Sequence, residues 1–382
     1  MATAKKSKKN EALLLYGDTR NCADIFYLGN FFVPDAFLAF KIRGKTIAVL
    51  NSLEYGRGVK ESQFDKVLSM EALLEKSAAK GSADEKLAAI VREVAHQYKV
   101  KNFTVSRNFP SGLAGTLRRK KVSIELTDNQ LLPEREIKNE KEIAALRQGC
   151  RASAAGIRAA ERILRASKIK SGKLYYKGKV LTSERVRFEV EVACLEQGAI
   201  SLDTIVAGGD QGCDPHCRGS GPLRANSLII VDVFPQITRT GYHGDMTRTF
   251  LKGKASDAQR KLVAAVRAAQ KIGIKSIKAG VTGDVVHRKV AQYFEEKGYE
   301  TYLKKDQYHG FFHGTGHGLG LEVHEAPRVS PHGPKLKKGM VVTVEPGLYY
   351  PGTGGVRIED VVCIEKDGCR KLSSYPYQWE LS

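Results

Sequence analysis

The chain has 382 residues, 42% hydrophobic and 27% charged, which is long enough for two domains of ordinary size and too apolar to be disordered throughout. Its 62 basic and 42 acidic residues leave a formal net charge of +20, which favours adhesion to anionic partners without identifying one. No apolar run approaches the roughly 20 residues of a membrane-crossing helix.

Lys5, Lys6, Lys8 and Lys9 make residues 1–10 a basic tail. The apolar run that follows, Ala12 to Tyr16, is shorter than the about 7–15 residues of a signal-peptide core, so a cytoplasmic location is expected. From 11 to 134 the pattern mixes strands and helices. Phe37 to Phe40 and Thr46 to Leu50 flank Arg43-Gly44-Lys45 and predict a hairpin. Leu87, Ile90, Val91 and Val94 have helical spacing, and Phe103 to Ser106 and Val122 to Leu126 read as strands. Pro133 interrupts the pattern, and a domain boundary is expected near 134. Asn139 with Glu142 three residues later predicts a capped helix start. The apolar stripe Ile143, Leu146, Cys150, Ala154, Ile157 and Leu164 extends that helix. A basic stretch, Arg162 to Lys179, contains no acid and includes Tyr175 and Tyr176. No nucleic-acid motif accompanies it or the Arg118–Lys121 cluster, so a solvated face is the expected reading. Further helices are predicted over Ser183–Glu196, from Ser256, and from Thr282 or Gly283. Strands are predicted over Leu228–Phe234, Met340–Val344 and Val356–Ile364.

Four carboxylates interrupt core-like segments. Asp232 sits in Leu-Ile-Ile-Val-Asp-Val-Phe, Asp245 in Gly-Asp-Met-Thr-Arg-Thr, Glu345 in Val-Val-Thr-Val-Glu-Pro-Gly, and Glu359 in Val-Arg-Ile-Glu-Asp. A buried lone carboxylate costs several kcal/mol unless cations or donors compensate it. Arg239 and Arg248 are candidate ion-pair partners for the two aspartates, which can face each other if a hairpin joins them. His313, His317 and His324 stand among five glycines between Gly310 and Gly320, a composition that excludes a regular helix and suits backbone folded closely around a site. Carboxylates on separate core strands plus an imidazole point to bound divalent cations such as Mn, Co, Fe or Zn. Cys213 and Cys217 around His216 hint at a zinc clip, but no second Cys/His pair completes four ligands.

Taken together, Asp232, Asp245 with Thr247-Arg248-Thr249, Gly-His317-Gly, Glu345-Pro-Gly and Arg-Ile-Glu359-Asp resemble the pita-bread metallopeptidases, the group of methionine aminopeptidase, Xaa-Pro aminopeptidase, prolidase and the metal-free creatinase. The resemblance covers about 135–382 strongly and 11–134 weakly. It implies an α/β (α+β) chain, with a smaller creatinase-type N-terminal domain before a pita-bread catalytic domain. It implies two divalent cations, manganese first among them, with Asp232, Asp245, His317, Glu345 and Glu359 as ligands. Asp245 and Glu359 would bridge, and Glu345 would also take the proton of the attacking water, a metal-bridging hydroxide. His324 would steady the tetrahedral intermediate, His313 would line the substrate wall, and His216 would contact the scissile peptide. Tyr349 and Arg357 would orient substrate and site. The complete ligand set sets creatinase aside. The His313–Glu325 and Glu345–Tyr349 segments resemble proline-directed members. The expected activity is removal of the residue before a proline from short peptides, by a homodimer with neither membrane nor nucleic-acid partner. The alternatives are an aminopeptidase without strict proline preference and a basic nucleic-acid-binding protein on the same fold. Two departures stand out: Phe234 replaces the family's glycine two residues after the first ligand, and the two aspartates lie 13 apart, two more than usual.

Overall fold

The structure is a computed structural model that describes residues 12–128 and 130–382. The basic tail expected at 1–10 lies outside the described residues. Contacts divide the chain into two compact units, Met1–Pro133 and Glu134–Ser382. Among the described residues no helix is long and apolar enough to cross a membrane.

In the first unit the elements run β1 (Ala12–Gly17), α1 (Ala23–Gly29), β2 (Phe37–Ile42), β3 (Lys45–Leu50), α2 (Ser52–Glu61), β4 (Lys66–Ser69), α3 (Met70–Ser77), α4 (Ala83–Tyr98), β5 (Asn102–Val105), α5 (Ser111–Arg119) and β6 (Ser123–Leu126). The sheet order is β4-β3-β2-β1-β5-β6. Period-two alternation sends Leu14, Leu38 and Phe40 to one core with α4 and α5, and Leu13, Leu15 and Phe37 to another with α1. The hairpin predicted around Arg43-Gly44 forms, with Gly44 at φ +84°.

The second unit opens with α6 (Glu140–Ala166), capped reciprocally by Asn139 and Glu142 as the sequence predicts. The basic stretch then folds into a meander, β7 (Lys168–Lys170), β8 (Lys173–Tyr176) and β9 (Lys179–Val180). Lys170 lies over the Tyr175 ring and Lys177 over that of Tyr176. Next come α7 (Ser183–Leu195), β10 (Ala199–Ile200), β11 (Ile205–Gly208), β12 (Leu228–Asp232), β13 (Gln236–Ile237), β14 (Thr247–Lys252), α8 (Asp257–Ser276) and α9 (Gly283–Glu296). The chain continues through β15 (Tyr302–Lys304), β16 (Gln307–His309), β17 (Gly316–Gly318), β18 (Glu325–Val329), β19 (Val341–Val344), β20 (Gly347–Tyr350), β21 (Gly354–Arg357), β22 (Asp360–Ile364), β23 (Cys369–Lys371) and β24 (Glu380–Leu381). One helix pair, α6 and α7, packs on the sheet β11-β12-β14-β24, and a second pair, α8 and α9, lies against the strands of β18-β17-β19-β22-β23.

Three local expectations are corrected. Val356–Ile364 is two strands in different sheets, because the chain turns at Ile358-Glu359, where the Glu359 amide leaves the ladder to bond the Thr247 carbonyl at 3.1 Å. The hairpin joining the aspartates places Asp232 opposite Thr247, so Asp245 is a diagonal neighbour on the same face. Arg248 pairs with neither aspartate; it holds Asp360 at 2.8 Å.

Candidate metal centre and active site

Each candidate residue is delivered by a different element. Asp232 ends β12 and Asp245 lies two residues before β14. His317 is the middle of β17, Glu345 directly follows β19, Arg357 ends β21, and Glu359 fills the break before β22. Close backbone packing makes this possible. A Cβ on Gly244 would lie 2.1 Å from the Gly149 carbonyl of α6, and a Cβ on Gly316 would lie 2.0 Å from the Thr343 carbonyl. Only glycine allows these crossings, which press the segments carrying Asp245 and His317 against their neighbours.

These elements enclose a cleft of about 750 Å³. Asp232, Asp245, His317, Glu345 and Glu359 line it together with His216, His313, His324 and Arg357. Tyr349 is fully buried behind this wall, where its hydroxyl touches His313 and Arg357. Cys213 of the suspected zinc clip packs with Ile205, Ala207, Ile230 and Tyr349, and burial pushes its thiol up to about 12.

Hydrogen bonds fix the protonation pattern. The Nδ1–H of His317 donates to the Gly318 carbonyl at 3.1 Å. The lone pair on Nε2 therefore faces Glu345 at 3.3 Å and Asp245 at 3.7 Å, two carboxyl groups that can meet it only by holding a proton or by sharing a cation. Burial holds this imidazole neutral, lowering its pKa to about 4. Buried oxygens on Asp232 and Glu359 have no partner, while their other oxygens are held by Arg357 at 2.7 Å and Thr247 at 2.8 Å. Burial and then the charges of its fellow carboxylates, Glu359 foremost, push Asp245 well above the usual range. Glu359 is raised in the same way, first by burial and then by Glu345. Burial lifts Glu345 to about 7 despite the opposing charge of Arg357. A lone pair facing carboxylates, orphaned buried oxygens and crowded like charges are what a cation-binding donor set has before its cation arrives. Ligand atoms of Asp245, His317 and Glu359 lie within 4.8 Å of one another, so these three could hold an ion.

A second chain of contacts runs behind the carboxylates. The Nδ1–H of His313 donates to the Gly314 carbonyl at 2.7 Å, so its Nε2 accepts from the Tyr349 hydroxyl at 2.9 Å. That hydroxyl accepts from Arg357 at 3.0 Å, and Arg357 reaches Asp232. Burial, reinforced by the Arg357 charge, keeps His313 neutral with a pKa near about 3. The His324 ring stands perpendicular to that of His317, centroids 4.4 Å apart, and burial lowers it to about 4. His216 sits at the exposed rim.

Several contributors escape a reading of the sequence. Thr343 accepts the His317 amide and donates to Glu345, and Thr247 donates to Glu359. Thr343 stands two residues before Glu345 in a strand, hence on its face, which is a signal the sequence carried. Glu325, beside His324, is gripped by Arg135 at 2.7 Å and Lys138, a pairing across nearly 190 positions that no local pattern announces. Ile205, Phe234, Phe312 and Val323 form the apolar wall of the cleft.

Comparison with known proteins agrees with this geometry. Residues 144–366 match metallopeptidase family M24. The Xaa-Pro dipeptidase of Pyrococcus horikoshii is 32% identical over 280 residues, covering 72% of this chain and 73% of that protein. The solved prolidase from the same organism is similar over 97% of this chain and 95% of its own, with a TM-score of 0.77 and 27% identity. The X-Pro aminopeptidase from Thermotoga maritima is similar over 97% of each chain, with a TM-score of 0.78 and 25% identity.

Proposed function

The chain belongs to metallopeptidase family M24, and on that premise we propose that it hydrolyses the bond between an N-terminal residue and a following proline in short peptides. Two divalent cations, manganese first among the candidates, would be held by Asp232, Asp245, His317, Glu345 and Glu359. The observation that carries this reading is the His317 Nε2 lone pair turned toward Glu345 and Asp245, beside the unpaired buried oxygens of Asp232 and Glu359. When bound, such cations lower the pKa of water and polarise a carbonyl.

The remaining work falls to the side chains. Glu345, steadied by Thr343, takes the proton of the attacking water and returns it to the leaving amine. His324 and His216, lining the same cleft, donate to the oxygen on which negative charge develops. The neutral state of His324 suits a donor that must not repel nearby cations. The chain His313–Tyr349–Arg357–Asp232 orients the wall between substrate and ligands. The apolar faces of Phe312, Phe234, Ile205 and Val323 receive the proline ring and its neighbour, excluding water. The proline preference is supported by the names of the relatives, and a dipeptide preference follows the Pyrococcus horikoshii protein.

The test is hydrolysis by manganese-loaded protein of Xaa-Pro, Xaa-Pro-Yaa and matched peptides with alanine in place of proline. Cleavage confined to the proline peptides is expected. Equal turnover of the alanine peptides would replace this reading with a broader aminopeptidase, and the dipeptide-to-tripeptide ratio assigns the subtype.

A further inference from the structure

A second cavity, of about 320 Å³, is lined by α8, the C-terminal segment, and Ile358 and Asp360 on either side of Glu359. Its lining carries five cationic side chains, Arg248, Arg267, Lys271, Lys275 and Lys371, against one carboxylate, Asp360. Arg267, Lys271 and Lys275 recur every four residues on α8, so they form a column rising about 6 Å per step. Among the described residues these three make no ion pair. Asp360 is already claimed by Arg248 and Lys371, each at 2.8 Å, and by the Ser373 hydroxyl at 3.0 Å. The Tyr377 ring lies beneath both Arg267 and Arg248, at 5.3 and 5.7 Å, a cation–π contact to each guanidinium group. Arg248 is 2% exposed and its Nε is buried with no hydrogen-bond partner.

We propose that this cavity, lined by Arg248, Arg267, Lys271, Lys275 and Lys371, binds a small anion bearing a diphosphate group. The excess of positive charge calls for more than a single carboxylate. Two phosphate groups, each carrying roughly −1.5 to −2 charge, offset it. The column of separated cations fits an extended chain of phosphate oxygens, and guanidinium groups bind such oxygens in pairs. The site bears on the catalytic side through Arg248, whose Nη1 donates to the Glu359 carbonyl at 2.6 Å. The proposal stands apart from the peptidase reading and does not depend on it.

The test is calorimetric titration of inorganic diphosphate, and separately of ADP, into three proteins: wild type, the double variant Arg267→Gln/Lys271→Gln, and the control Lys168→Gln/Lys170→Gln. The control removes the same charge from the meander. Binding to wild type is expected to weaken at least about tenfold in the cavity variant and to stay unchanged in the control. Chelation of cations at the active site contributes equally to all three and cancels in the difference. Basal hydrolysis by the cavity variant is expected to match wild type. Tighter binding of ADP than of inorganic diphosphate would assign a nucleotide as the source, and the reverse order a free diphosphate; both uphold the site. Absence of a difference between wild type and cavity variant, or an equal loss in the control, overturns it, the latter because diffuse attraction to a basic protein then suffices.

Discussion

His317 commits its only ring proton to the Gly318 carbonyl, and much of the site's chemistry follows from that bond. It leaves a lone pair facing carboxyl groups, an arrangement satisfied by a carboxyl proton at low pH and by a cation once that proton is lost. Glu345 shares this face and is the group to which proton transfer is assigned. Glu345→Gln is expected to lower kcat by about 10²–10⁴-fold, the usual worth of a positioned base, while circular dichroism stays that of the wild type. Unchanged turnover would reassign the base. The pH dependence follows from the raised carboxylates. Asp245 and Glu359 are pushed well above their usual range and Glu345 from 4.5 to about 7. A carboxyl whose pKa is raised on folding binds more protons folded than unfolded, so its contribution is present at low pH and lost as pH climbs to its folded value. In the chelated protein His313, His317 and His324, held neutral, add stability as pH rises toward 6.5, while the raised carboxyls shed their protons and withdraw stability up to about pH 7. Metal displaces those protons, so the stability gap between loaded and chelated protein should widen over the same window. Calorimetry of loaded and chelated protein at a series of pH values checks this, and a gap that narrows with rising pH would contradict the ligand assignment.

At the scale of elements, the site depends on how closely strands and helices cross. Gly149 of α6 meets the segment 243–244 backbone to backbone, and a Cβ at Gly149 would lie 2.5 Å from the His243 carbonyl. Gly149→Val is expected to cost at least about 1–3 kcal/mol of stability, as overpacking does. It should also weaken metal binding, because the displaced segment carries Asp245. Urea unfolding and metal titration read the two effects, and a stable variant with weakened binding would show that the crossing positions the ligand more than it holds the fold. The capping boxes at Asn139 and Ser256 were legible in the sequence because they are local: a polar side chain and its partner three residues on. The break at Ile358-Glu359 was not legible. Val356, Ile358, Val361 and Val362 are all strand formers, and what interrupts them is a bond from the Glu359 amide to Thr247, more than a hundred residues away. The partner of Arg248 was missed for the same reason. Two carboxylates lay within reach of the sequence argument, and the side chain turned to a third, Asp360.

At the scale of the whole molecule, every candidate ligand belongs to the unit Glu134–Ser382. Manganese at a hundredfold excess over its Kd should stabilise the folded state by about 2.7 kcal/mol for each cation bound. Hydrogen exchange is expected to slow in β12, β14, β17, β19 and β22, while residues 12–128 keep the exchange of the chelated protein. Slowing confined to the first unit would place the cations elsewhere. Part of the net charge of +20 sits in two local features: a meander in which Lys170 and Lys177 cover its own tyrosines, and the cation-lined cavity beside Asp360. By itself the sequence determined the longer amphipathic helices and buried strands, where their caps lie, and which carboxylates and histidines are too polar for their apolar surroundings. Those properties reside in periodicity, capping and residue chemistry, all of which act over a few neighbouring positions. Only the tertiary structure decided which lone pairs meet, that Asp232 is held by Arg357, and that Tyr349 lies buried behind the wall. It also brought Glu325, Arg135 and Lys138 together. Those contacts join positions far apart in the chain, and they are set by the packing of whole sheets and helices, which no short stretch of residues contains.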